Sequence, residues 1–472
     1  MNGKHFRSAL LGAQLAAMHQ THNWEVVKIN YLGDTGKPIG LLGAGYQKFG
    51  SEELLAAKPV EHLRDVYKQI SDLFAPEQAA SKKARDDAKG KEENGESAEI
   101  ESRGVYAERN TYANKLEQGD EKMVRLWQTL RDASIAEYEQ SYARLDVHFD
   151  EYTGESQVKA DTMADIVEKL KDKGICEESE GSLVIHLHNH GSKHGTAIIK
   201  DRTGGSTYLL RELAAVLERH DKYNFDKLLY VVANDQHTMH FHRLSKILEL
   251  LGMEDLAKKL HHVSFNENSQ LPEPSSPGES LDTILDRFED TIGKSVNLDV
   301  QRLGSLCSGT ANSKAVVKAT CFAHASSIKR TGELKFDMTK LTAADASSPL
   351  YPLAWFARLS TVNSAVAPVE AENDAVGEQD YLDDYENAVL LRWLAHYPGV
   401  VQNALRNLEP SMLMHYLGNL TGQLSDAFDD DEEVIASNAE HSKFLQAVGI
   451  VIANSLKLLN ITQYVVCPFV YV

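Results

Sequence analysis

Cysteine is scarce in this 472-residue chain: Cys176, Cys307, Cys321 and Cys467 are scattered and form no CxxC. Neither a disulfide framework nor a thiolate metal site is indicated. Long apolar runs are missing, and the first residues show no signal-peptide pattern, so no membrane contact is expected and the cytosol is the expected compartment. There is no GxGxxG, no Walker pattern and no GxSxG, which removes the usual sequence marks of a dinucleotide site, a P-loop and a serine hydrolase. Positive charge is in deficit, with 49 Lys and Arg against 69 Asp and Glu, a net charge of −20. Such acidity opposes indiscriminate binding to nucleic acid, DNA included, and leaves room only for a local basic track shaped for one RNA. From Leu260 to Asp286 there is no Lys or Arg at all.

What is present is organised around Gly204 to Ala214, GGSTYLLRELA. Gly205 can turn the chain, and Ser206 or Thr207 can cap the helix that follows. Tyr208 and Glu212 fall four apart, on one helix face. A phenol and a carboxylate presented together at a helix start suit a planar cation such as a guanidinium. An ordinary capped amphipathic helix with a surface glutamate has the same spacing.

The chain's 42% apolar and 25% charged residues are those of a globular protein with two or three cores. Residues 1–20 pattern as an amphipathic helix, VVKINYLG as a strand, and GDTGKPIGLLGAGYQKFG as a Gly-rich turn into another helix: an α/β opening. Residues 75–104 carry no aromatic residue and few large apolar ones, so a mobile insertion or linker is expected there. Residues 105–150 are expected to be helical, with Tyr106, Trp127, Leu130, Ile135 and Tyr138 on a core face. SLVIHLH and TAIIKD read as strands. FDKLLYVVAND reads as a parallel-type strand whose polar end, Asn234-Asp235-Gln236, points toward the crevice of Glu212. From about residue 350, helix follows helix, as in a bundle. The expected units are 1–265, an α/β catalytic domain; 266–348, a connecting region; and 349–472, a helical domain. Histidines crowd HLHNHGSKH (His186, His188, His190, His194) and HTMHFH (His237, His240, His242). His186 and His188 would share a strand face, but no cysteine or carboxylate completes a recognisable spacing, so no metal is expected.

Several long segments, in order, resemble arginyl-tRNA synthetases of class I: HFRSALLGAQLA, VVKINYLGDTGKPIG, RLWQTLRDASIAEYEQSYARLDVHFDEYTGESQV, TGGSTYLLRELAAV, YNFDKLLYVVANDQ and LLRWLAHYPGVVQNAL…ANSLKLLNI. The resemblance implies a Rossmann-type catalytic domain followed by an all-α, DALR-like anticodon-binding domain. It implies that Tyr208, Glu212 and Gln236 hold the arginine moiety. The family usually has Asp where this chain has Glu212. It also exposes departures. The family's ATP-holding His-x-Gly-His reads Asn2-Gly3-Lys4-His5 here, and the cationic second signature is replaced by SQLPEPSSPGES. The strand preceding the first signature and the family's amino-terminal domain have no counterpart.

Loss of those cations removes the charge stabilisation that phosphoryl chemistry needs. On that ground the chain looks like the arginine-containing cyclodipeptide synthases of filamentous fungi. That resemblance implies an ATP-independent enzyme of secondary metabolism with no cofactor. It would take arginyl-tRNA and a second aminoacyl-tRNA and release a cyclo(arginyl-Xaa) diketopiperazine. In that scheme His5 is the first candidate for general base, Asp34 orients an amine, and Ser8 accepts an acyl group if a covalent intermediate forms. A helix-start His that positions RNA, a turn-capping Asp and a helix-capping Ser have the same sequence appearance. Two other expectations stand beside it: a residual arginine–tRNA ligase, and a non-catalytic tRNA-binding paralogue.

Overall fold

The structure, a computed structural model, describes residues 3–87, 95–202, 204–267, 269–270, 283, 285–287, 289–290, 312–335, 348–365, 385–428 and 439–461. The chain opens with α1 (Gly3–Thr21), β1 (Ile29–Leu32) and α2 (Lys37–Phe49). Five more helices follow: α3 (Glu52–Ala57), α4 (Pro59–Asp87), α5 (Gly95–Glu101), α6 (Gly104–Glu117) and α7 (Glu121–Ala143). Then come β2 (Glu151–Gly154), α8 (Ala160–Asp172), β3 (Glu177–Ser179), β4 (Ser182–His186), β5 (Thr196–Lys200) and α9 (Tyr208–Tyr223). The α/β part closes with β6 (Leu228–Ala233), α10 (Asn234–Leu250), α11 (Glu254–Lys259), β7 (Leu260–Phe265) and β8 (Ser269–Gln270). After α12 (Asn312–Ser327) and β9 (Leu334–Lys335) the described chain is helical: α13 (Tyr351–Ala365), α14 (Tyr385–Asn407), α15 (Ser411–Phe428) and α16 (Ala439–Leu458).

Strand pairing follows the crossovers. β1 pairs with β2 in parallel, with Tyr31 opposite Thr153. β6 pairs with β7 in parallel, the two joined by α10 and α11. β3, β4 and β5 form an antiparallel sheet. The strand expected over SLVIHLH ends at His186. Leu187–His190 is a 3-10 turn, closed by Gly191 and by Leu187 N–H donating to the carbonyl of Gly195. His188 therefore leaves the strand face that His186 occupies.

Residues 75–104 correct the expectation of a mobile linker. Helix α4 continues to Asp87 through Pro76, with Ser81 and Ala84 buried. Glu77 accepts from the backbone N–H groups of Val105 and Tyr106 at 3.1 and 3.0 Å, capping α6. Small side chains let helices approach closely without burying much apolar area, which is why low hydrophobicity misled. Residues 88–94 lie outside the described residues.

Two large apolar cores result. One gathers Leu183, Ile185, Ile199, Leu210, Leu213, Leu244 and Ile247 from the antiparallel sheet and helices α9 and α10. The other joins Leu10, Leu15 and Met18 of α1 to Trp355, Leu417, Leu420 and Ile452 of the C-terminal helices. The first helix of the chain thus shares a core with the last ones. No described helix is long and apolar enough to cross a membrane.

Candidate functional site

The start of α9 is built by its loop. Gly204 adopts a left-handed φ of 78°, a conformation that favours glycine, so the turn residue is Gly204 rather than Gly205. Gly205 N–H donates to Asp201 Oδ1 at 3.1 Å. Thr207, not Ser206, is the N-cap: its hydroxyl accepts from Leu210 N–H. Leu209, Leu210, Leu213 and Ala214 anchor the helix in the core, and their burial carries Glu212 inward with them.

Glu212 is 1% exposed. Its Oε1 accepts from Arg219 Nη1 at 2.8 Å and from the Tyr230 hydroxyl at 2.7 Å. Its Oε2 is buried with no hydrogen-bond partner among the described residues. Such an acceptor is rarely left unsatisfied in a native interior, where a protein donor, a ligand or a water completes it. The Arg219 guanidinium lies 4.4 Å from the ring centroid of Tyr31. Burial by itself lowers the Arg219 pKa, and the charge of Glu212, with Tyr230 behind it, outweighs this and drives it upward.

Tyr31 and Thr153, opposite each other on β1 and β2, both bury a hydroxyl without a partner among the described residues. Tyr208 is 37% exposed, and its ring centroid is 4.5 Å from that of His240. Burial, then the nearby charge of Glu212, raises the pKa of Tyr31, Tyr208 and Tyr230, so all three remain neutral phenols. Burial pushes the His240 imidazole down to about 4, with help from His237 and Arg243. Beside this group, Arg211 Nε contacts Glu155 Oε2 at 2.5 Å. Burial raises the Glu155 pKa against the opposing pull of Arg211. Three neutral phenols, one half-satisfied carboxylate and two internal ion pairs leave an unclaimed acceptor, a chemistry that suits a planar cation with several N–H donors.

The other expected residues are placed as follows. Asp34 is buried and fully engaged: Oδ2 accepts from Arg131 Nε at 2.9 Å and Ser156 Oγ at 2.8 Å, and Oδ1 from Ser156 N–H at 2.9 Å. Its backbone carbonyl accepts from Trp127 Nε1. His5 is exposed in the first turns of α1, and the Ser8 hydroxyl donates to the carbonyl of His5 at 3.1 Å. Gln236 falls in the first turn of α10, directly after β6, and its side chain lies outside the described residues, as does that of Lys4. So does the segment 271–282, which contains most of SQLPEPSSPGES. His186 is engaged by Glu177 and Thr196, and His194 stacks on His242. Among the described residues no group of three or more His, Cys, Asp or Glu is arranged to hold a metal ion. Tyr31, Glu155, Arg219 and Tyr230 were not anticipated. Only Arg219 left a signal, seven residues and two helical turns after Glu212.

Comparison with known proteins accords with this arrangement. The catalytic domain of the class I tRNA synthetases of the arginine type matches residues 1–268, and the DALR anticodon binding domain matches residues 356–464. The chain is 32% identical over 434 residues to the probable cytoplasmic arginine–tRNA ligase of Schizosaccharomyces pombe, covering 90% of this chain and 68% of that one. It is 30% identical over 425 residues to the cytoplasmic arginine–tRNA ligase of Saccharomyces cerevisiae, covering 90% of this chain and 67% of that one. The arginyl-tRNA synthetase of Plasmodium falciparum superposes with a TM-score of 0.72 at 16% identity, over 98% of this chain and 73% of that one. The fold is a class I aminoacyl-tRNA synthetase catalytic domain followed by a helical anticodon-binding domain. The chain belongs to the arginyl-tRNA synthetase family.

These matches overturn the cyclodipeptide synthase expectation. The similarity runs through the catalytic and anticodon domains of curated arginine–tRNA ligases at 27–32% identity, and it brings no support for a diketopiperazine product, a second aminoacyl-tRNA, ATP-independent chemistry or secondary metabolism. Two altered signatures stand within a likeness that extends over most of the chain.

Proposed function

We propose that this chain binds arginine and a tRNA and joins them, as an arginine–tRNA ligase that uses ATP. The observation that carries the reading is Glu212: a buried carboxylate on a capped helix, with one oxygen unclaimed among the described residues and with Tyr208 and Tyr31 nearby. A guanidinium offers the N–H donors that this oxygen requires, and a buried charge-assisted bond of that kind discriminates strongly against side chains lacking it. Tyr208 and Gln236 are the accompanying arginine contacts. The C-terminal helices supply the tRNA surface, and the cytosol is the compartment we assign, in line with the two relatives named above. Purified chain with ATP, radiolabelled arginine and total tRNA tests the reading directly. Formation of arginyl-tRNA is the expected outcome, and its absence under conditions where a relative is active would refute ligation.

A second reading has its own support: Asn2-Gly3-Lys4-His5 and the cation-free run from Leu260 to Asp286. In it, the chain retains arginine and tRNA binding without forming arginyl adenylate. Arginine-dependent exchange between ATP and pyrophosphate separates the two, since only the ligase supports it.

A further inference from the structure

The catalytic and helical domains meet in a core that is mostly apolar. Apolar burial is non-directional, so it holds α1 against the C-terminal helices without fixing the angle between them. The packing is also open at one rim. A cleft of about 300 Å³ lies there, lined by Leu10, Leu11 and Gln14 of α1, by Ile328 after α12, and by Pro410 and Ser411 at the entry to α15. What crosses this rim is polar: the loop between α12 and β9, gripped from both sides.

On the sheet side, Arg7 of α1 donates to the carbonyls of Gly332 and Lys329 at 2.7 and 3.0 Å. The N–H of Asn266, just past β7, donates to the carbonyl of Arg330 at 2.8 Å. The Arg330 side chain returns to the same strand: Nη1 donates to the carbonyl of Ser264 at 2.6 Å and to its hydroxyl at 3.2 Å. Ser264 lies opposite Val232 on β6, two residues beyond Tyr230, the donor to Glu212. On the helical side the partner is Glu409, in the turn between α14 and α15. Its carboxylate accepts from Arg330 N–H at 3.2 and 3.4 Å, lies 3.8 Å from Arg330 Nε, and accepts from the Ser411 hydroxyl at 2.8 Å. The two side chains are 25% and 16% exposed, so water competes little for the pair. The turn that presents Glu409 is strained. Leu408 has a left-handed φ of 53°, and Glu409 N–H closes the end of α14 on the carbonyl of Ala404. Such a conformation persists only where the surroundings hold it.

We infer that Arg330 is a positioning residue, joined to Glu409 in a bolt that fixes the spacing between the parallel strands and the helical domain; this inference rests on the reading that the chain binds tRNA through both domains. A tRNA held by its anticodon on the helical domain and by its acceptor end in the catalytic domain is held at two points. The second contact is then intramolecular, and its strength depends on how well the spacing of the two surfaces is kept. A rigid joint keeps that spacing. A loose joint spreads it over many values and dilutes the gain. The bolt thus adds affinity for a whole tRNA without touching it, and an anticodon arm alone does not feel it.

The experiment measures, by fluorescence anisotropy at fixed ionic strength, the affinity of the full chain for an arginine tRNA transcript and for its isolated anticodon stem–loop. Wild type is expected to favour the whole tRNA on the order of a hundredfold. Arg330→Met and Glu409→Ala should each cut that preference about tenfold. Stem–loop affinity should stay within about twofold, and the double variant should lose no more than either single one, as partners in one interaction do. Glu409→Gln, which still accepts from Arg330 N–H, should lose part of the preference and serves if the alanine variant does not fold. Glu409→Ala also separates the bolt from direct RNA contact: removing an acid that faces RNA tightens binding, whereas removing half of the bolt weakens it. An unchanged preference in the folded variants overturns the inference. So does a loss on whole tRNA matched by an equal loss on the stem–loop, which is local damage to the helical domain. A weaker Arg330→Met beside a tighter Glu409→Ala overturns it too, because Arg330 is then a phosphate contact. If wild type binds neither RNA, the tRNA-binding reading fails and takes the inference with it; in the other failing cases tRNA binding stands and the inference alone falls.

Discussion

Arg131 Nε donates to Asp34 Oδ2 at 2.9 Å, tying α7 to the loop that follows β1. Both side chains are largely buried, and Ser156 completes the carboxylate from the segment after β2. This aspartate is a strut between three parts of the α/β layer. Asp34→Ala is expected to leave the Arg131 charge unpaired and to lower stability by about 3–5 kcal/mol, measured by urea unfolding. A loss below about 1 kcal/mol would show that the pair behaves as a surface bridge.

Gly154 tests the same strut from the other side. A Cβ built there falls within 2.2–2.4 Å of the Asp34 carboxylate atoms. Gly154→Ala must displace that carboxylate from Ser156 and Arg131, with an expected cost of about 1–3 kcal/mol. Wild-type stability in the alanine variant would mean that the carboxylate has somewhere else to go.

Glu212→Gln removes the charge that Arg219 and the ligand share. Leaving Arg219 buried without its counter-ion should cost about 3 kcal/mol of stability. L-Arginine affinity should fall on the order of a hundredfold, the value of a charged hydrogen bond. Calorimetry and denaturant unfolding read the two effects separately, and intact arginine affinity would remove Glu212 from the site.

His240 makes stability depend on acidity. Its ordinary value is 6.5 and burial holds it near 4, so between these limits the unfolded chain binds a proton that the native chain refuses. Stability from this group is complete above pH 6.5 and is lost as pH falls toward 4, to a maximum of about 3 kcal/mol. His261 and His262, also shifted downward by burial, act in the same direction. Unfolding free energies of His240→Phe measured between pH 4.5 and 7.5 should show a shallower slope than wild type, and parallel slopes would contradict the assignment.

Thr207→Ala removes the cap of α9 and should destabilise the fold by about 1 kcal/mol. Because Tyr208 begins at that cap, arginine affinity should also fall, whereas Ser206→Ala should leave both nearly unchanged. Equal effects at the two positions would refute the choice of Thr207 as the cap.

Legibility in the sequence followed the range of the interaction. Helix α9 was readable because its cap, apolar face and Tyr208–Glu212 spacing are all local, and β6 because a continuous apolar run needs no partner to be recognised. The strand around His188 was overextended, since the turn there depends on a hydrogen bond from Leu187 to Gly195. Residues 75–87 were misread because Ser81 and Ala84 stabilise a helix by fitting closely rather than by being large. The receptor was half visible. Glu212 and Tyr208 share a helix, but Tyr31 arrives from β1 and Tyr230 from β6, and nothing in a linear pattern announces that strands of two separate pairs bring phenols near one carboxylate. The error about function had a different origin: a changed residue at a signature reports a lost contact, not the reaction that replaces it.

Arg7 donates to the carbonyls of Asn266, Lys329 and Gly332, and Gln14 to that of Leu459. The partners lie up to 325 and 445 residues further along the chain. During synthesis, therefore, α1 leaves the ribosome well before the segments it docks against. Throughout translation its apolar face, with Leu10, Leu15 and Met18, waits for helices not yet made. Helix α1 is thus a segment that a holding chaperone must shield, and a chain stopped short of α16 leaves part of its apolar seat unbuilt.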